Sequence, residues 1–111
     1  MAYDEDLADR MRILLANRAN IVEKKMFGGL AFMLNDYMFV GVNDDRLMAR
    51  VGPDNYEAAL DKPHARIMDF TGRPLTGYVY IEAPGIETDE ALNYWVDLCA
   101  AFVLTLPPKK K

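Results

Sequence analysis

Serine is absent from this chain, and cysteine, histidine and tryptophan occur once each in 111 residues. Without serine there is no serine nucleophile, and a threonine would need a neighbouring base that the sequence does not supply. The single cysteine, Cys99, rules out an intrachain disulfide and fits a cytosolic compartment. One histidine and one cysteine fall short of the usual zinc ligand set. No apolar run approaches the ~18 residues that a membrane span needs. The acidic start, MAYDEDLADR, lacks the apolar core of a signal peptide. A cytoplasmic protein with no membrane partner is the expectation. Positive charge is scarce as well. With Lys109, Lys110 and Lys111 set aside, 10 basic side chains face 17 acidic ones, a net charge near −7 for the body. That disfavours nucleic-acid binding over a broad surface, because phosphate binding needs a positive footprint.

Apolar residues make up 51% of the chain and aromatics 11%, enough for a core. The length suits one domain. Residues 1–108 read as that domain and 109–111 as a disordered basic tail. Leu7, Met11, Leu14 and Leu15 recur at helical spacing in Asp4 to Asn17, with acids in the first turn, where the helix dipole favours them. Strands are expected at Val22 to Met26, Leu30 to Leu34, Tyr37 to Val42, Arg46 to Val51, Arg66 to Phe70 and Tyr78 to Glu82. A short helix is expected over Asn55 to Leu60. The stretch TGRPLTG reads as a turn segment. Thr88 caps a last helix with an apolar stripe of Leu92, Trp95, Val96, Cys99, Phe102, Val103 and Leu106. Hairpins dominate and no βαβ alternation occurs. The fold class is therefore α+β: two layers, a mostly antiparallel sheet with helices on one face, in the order α-β(3-4)-α-β(2)-α.

The stretch KKMFGGLAFMLNDYMFVGV, Lys24 to Val42, poses a problem for such a fold. Asn35-Asp36 suits a two-residue hairpin turn. That register pairs Leu34 with Tyr37, Met33 with Met38, and Phe32 with Phe39. One face then carries Leu30, Phe32, Leu34, Tyr37 and Phe39; the other carries Ala31, Met33, Met38, Val40 and Val42. Neither holds a charge, so the face turned away from the helices needs a cover. A third layer, a wrapping helix or a second subunit would serve, and a two-fold homodimer is the economical expectation.

The search for chemistry returns little. His64, in KPHAR, reads as a surface loop residue, and Cys99 as a small hydrophobe on a helix stripe. Asp4-Glu5-Asp6 and Asn43-Asp44-Asp45 read as a helix start and a turn, since neither has a calcium-loop pattern. GGLAF lacks the spacing of a phosphate loop. No catalytic residue, cofactor or metal is expected. Two surfaces remain. Met33, Met38 and Val40 form a candidate interaction face, joined by Arg73 in its Gly-Arg-Pro loop. Lys24, Lys25, Arg50 and Arg66 form a candidate basic patch if the fold gathers them on one side of the sheet.

Three motifs, Met26-Phe27-Gly28-Gly29, Arg50-Val51-Gly52 and Phe70-Thr71-Gly72-Arg73-Pro74, stand in an order and spacing that resembles the TfoX N-terminal domain family. The resemblance runs from Tyr3 to Pro107. It implies a secretion-chaperone-like fold and kinship with bacterial regulators of natural competence, which work with an activator of the cyclic-AMP receptor type. Those regulators carry a second, C-terminal domain, whereas this chain ends at PPKKK and reads as a stand-alone single-domain member. The resemblance implies no catalytic residues and gives Gly28, Gly29, Gly72 and Pro74 structural roles. The functional expectation is a non-enzymatic regulatory or protein-interaction module, homodimeric, with another regulatory protein as a further partner. The alternatives are a nucleic-acid-associated transcriptional regulator, and a small-ligand-binding or enzymatic domain with a pocket of Met and Tyr.

Overall fold

The computed structural model describes residues 4–16, 18, 20–26, 29–70 and 72–107, and the side chains of these except Met26, Phe70, Arg73 and Pro74. The expected basic tail, and Phe27, Gly28 and Thr71 of the motifs, lie outside the described residues. The chain folds as α1 (Glu5–Leu15), β1 (Ile21–Met26), β2 (Gly29–Leu34), β3 (Tyr37–Asn43), β4 (Arg46–Arg50), α2 (Tyr56–Leu60), β5 (Ala65–Phe70), β6 (Arg73–Ile81) and α3 (Asp89–Val103). All strand pairings are antiparallel, in the order β1-β2-β3-β4-β6-β5. The α+β class read from the sequence is the observed one.

Local chemistry explains the element ends. The Asp6 N–H donates to the Asp4 carboxylate at 2.9 Å and opens α1; the Ala91 N–H donates to Thr88 Oγ1 at 3.1 Å and opens α3. Asn35 and Asp36 both take left-handed backbone, φ 53° and 70°, which gives the β2–β3 turn a twist matched to its strands. α1 buries Leu7, Ala8, Met11 and Leu15, and α3 buries Leu92, Trp95, Val96, Cys99, Ala100 and Val103. Both stripes close on one face of the sheet. Each Leu or Val so enclosed contributes about 1.5–3 kcal/mol relative to exposure. Exposed ion pairs join the same parts: Arg12 bonds Glu23 through two nitrogens at 2.9 and 3.0 Å, and Arg18 reaches Asp97.

The hairpin register differs from the expected one at a single point, and much follows from it. Phe32 pairs with Val40, not Phe39, and Phe39 is the extra residue of a β-bulge. A bulge puts two successive side chains on the same side. Phe39 and Val40 therefore both enter the helix-side core with Leu30, Phe32, Leu34 and Val42. Val40 and Val42 leave the second face, and only Ala31, Met33 and Met38 of the hairpin remain there.

That second face is largely closed within the one chain. Ala31, Met38, Met48, Met68 and Tyr80 are at most 6% exposed and pack together, flanked by half-buried Met33, Leu75 and Tyr78. The Arg46 guanidinium lies 3.9 Å from the centroid of the Tyr80 ring. Five strands supply this second core, and methionine's flexible thioether fits its irregular gaps. The expected turn segment TGRPLTG is also corrected: β6 begins at Arg73 and runs nine residues, with Gly72 in the turn before it. Gly77, at φ 92°, kinks the strand, and its carbonyl accepts the N–H groups of both Val51 and Gly52.

Candidate functional site

The sequence-derived basic patch does not form. Lys24 and Lys25 stand on β1 and Arg66 on β5, the two outermost strands, at opposite ends of the sheet. Lys24 and Lys25 are also neighbours in a strand and so point to opposite faces. Arg66 pairs with Glu82 at 3.2 Å. Arg50 is half-buried in β4 among rings, with Tyr37, Tyr78 and Phe102 centroids 5.6, 5.4 and 5.7 Å from its guanidinium carbon. It acts as a brace, stacked on aromatic faces between the end of the sheet and the end of α3. The Arg73 side chain lies outside the described residues.

The expected interaction face is reduced in the same way. Val40 is in the main core because of the bulge, and Met38 is enclosed in the second core. Only Met33 keeps partial exposure, beside its β1 partner Val22, which is 52% exposed.

The candidates for chemistry are inert in this setting. Cys99 is fully buried, and burial pushes its thiol well above the ordinary range, with the Arg50 main-chain N–H acting weakly in the other direction. Such a thiol is no nucleophile at neutral pH. Among the described residues no group of three His, Cys, Asp or Glu side chains converges as a metal site would require. Asp44 belongs to the β3–β4 turn and pairs with Arg46 at 3.6 Å, as its turn reading implied.

What the structure brings forward instead is the outer edge of β5, which among the described residues pairs only with β6. Ile67 sits on it, 49% exposed, and an open groove runs beside it between Leu60, Ala65, Arg66 and Asp69. The opposite edge, β1, carries Glu23, Lys24 and Lys25, charges that oppose strand addition. The β5 edge is the less guarded of the two. Sequence reading missed Ile67, because alternation places it on the helix side of the sheet and does not tell that the helices stop short of that edge.

An open antiparallel sheet with two helices packed on one face and a methionine-rich second core defines an α+β domain. Gly29 passes so near β3 that a Cβ there would lie 2.1 Å from the Val42 carbonyl oxygen. The family model of the TfoX N-terminal domain matches residues 13–103, and the chain belongs to that family. No curated protein and no solved structure matches it.

Proposed function

We propose that this domain is a non-enzymatic, regulatory interaction module that works by adding a partner's strand to β5, and that its first partner is a second copy of itself. The observation that carries the reading is Ile67, half exposed beside an apolar groove on an edge strand that, among the described residues, pairs only with β6. Edge strands present rows of free N–H and C=O groups, and strand addition satisfies them. Two β5 strands related by a two-fold axis would set Ile67 against Ile67 of the copy, with Arg66 and Asp69 outside that contact. Kinship with the TfoX N-terminal domain supports a regulatory role. The burial of Cys99, which holds its thiol protonated, supports a role in which that thiol does no catalysis.

Light scattering over a wide concentration range tests the reading. The wild type is expected to approach twice the 12.6 kDa of the single chain as concentration rises. Ile67→Lys is expected to hold the mass at that of one chain without loss of fold. A wild type that stays monomeric, or an unchanged dimer in the variant, would sink the proposal.

A further inference from the structure

A second feature, independent of the β5 edge, lies where the turn after α2 meets the start of α3. A cleft of about 250 Å³ opens there, lined by Lys62, Pro63, His64, Gly85, Ala91, Tyr94 and Trp95. Two of its walls are aromatic. The Tyr94 and Trp95 rings stand edge to face, with centroids 5.2 Å apart and planes at 80°. The Lys62 ammonium lies 5.0 Å from the Tyr94 ring centroid, at the rim of those walls.

The polar lining is one-sided. Lys62 and His64 enter no ion pair or side-chain hydrogen bond among the described residues. The indole N–H of Trp95 likewise has no acceptor there, although the residue is 4% exposed, and it is not sealed from solvent. Among the described residues no carboxylate lines the cleft, in a chain where acids outnumber bases 17 to 13. An ammonium and an indole N–H without acceptors, set against aromatic faces, match an anion carried on a flat apolar body.

The cleft is also held open by its backbone. His64 takes a left-handed conformation, φ 68°, that a residue with a Cβ adopts at a cost. The Glu82 N–H donates to the His64 carbonyl at 2.9 Å and fixes it. Gly85 lies so close that a Cβ on it would approach the His64 Cβ to 2.9 Å. Bulk at position 85 would thus push the imidazole out of its place at the rim.

We infer that this cleft is a binding site for a small aromatic carboxylate, its ring against Tyr94 and Trp95 and its anion at Lys62 and His64. Benzoate is the probe. Because Trp95 is the only tryptophan, its indole N–H gives a single signal in a proton–nitrogen NMR spectrum. Titration with benzoate is expected to move that signal saturably, together with the amides of Gly85 and Ala91. Benzamide, the same shape without the charge, is expected to bind about tenfold more weakly, and Lys62→Met to weaken benzoate by a similar factor. Lys62 is exposed, so its replacement leaves the core untouched. The inference is overturned if no signal saturates, if benzamide or the Lys62→Met variant matches benzoate on the wild type, or if inorganic phosphate alone moves the signals as far. None of these outcomes depends on whether β5 pairs with a second copy.

Discussion

At position 52 only a hydrogen fits on the α-carbon. Gly52 has φ 89°, and a Cβ added there would lie 2.4 Å from the Phe102 ring. Gly52→Ala therefore combines backbone strain with a clash, and an expected loss of about 2 kcal/mol is readable by chemical denaturation. Phe102→Leu in the same chain should recover part of it, a coupling that two unrelated defects would not show. Cys99 makes a second prediction at this scale. Its thiol stays protonated in the fold to higher pH than in the unfolded chain, because burial raises its pKa. The stability this contributes is complete below the unfolded value of about 8.5 and drains away above it, by at most about 1.4 kcal/mol per pH unit. Melting curves from pH 7 to 10, on the usual scale of thiol titration, should fall more steeply for the wild type than for Cys99→Ala. The role of Cys99 was legible in the sequence, since a lone cysteine on a helix stripe packs as a hydrophobe. The role of Gly52 was not, because its need arises from a ring fifty residues away in the chain.

Among the elements, the β2–β3 hairpin shows best what a sequence does and does not reveal. Its existence, its Asn35-Asp36 turn and the pairing of Leu34 with Tyr37 and of Met33 with Met38 all follow from pattern and turn chemistry. The bulge at Phe39 does not, because alternating and bulged registers are equally apolar in this segment. Period-two reading then carries every residue past the bulge to the wrong face. The consequence is measurable. Val40→Asp places a charge in the main core and is expected to cost about 4 kcal/mol or to unfold the domain. Met33→Asp, at a half-buried site, is expected to cost less than about 2 kcal/mol. Equal losses in denaturant titrations would contradict the bulged register. The start of β6 escaped sequence reading for a related reason: Gly72, Pro74 and Gly77 are turn residues, yet here two of them sit within a kinked strand.

Over the whole molecule, strand order decides which side chains can act together. Lys24, Lys25, Arg50 and Arg66 are close in kind but far apart in the sheet, and no composition or spacing reports strand order. The scattered charges lead to a further expectation. Binding to a short DNA duplex at about 0.15 M salt should be absent, or no stronger than for any chain of this acidity. Tight binding that weakens steeply with added salt would contradict it. The question of what covers the second hairpin face has its answer at this scale too. The cover is a second core of Ala31, Met38, Met48, Met68 and Tyr80, drawn from five of the six strands.

Of the five strand pairings among the described residues, four join neighbours in the chain, and there only β4 with β6 links strands that are not consecutive. The sheet is therefore two local hairpin systems meeting at one seam, with α3 packed across β3 and β4 on the far side of it. Pro53 and Asp54, both exposed, lie in the connection between the two systems. A chain severed there would leave two pieces whose remaining complementarity lies along a single strand edge, one helix stripe and the second core. Such pieces could be produced separately and mixed, and recovery of the fold would depend on their encounter, so the seam offers a natural point for a split reporter.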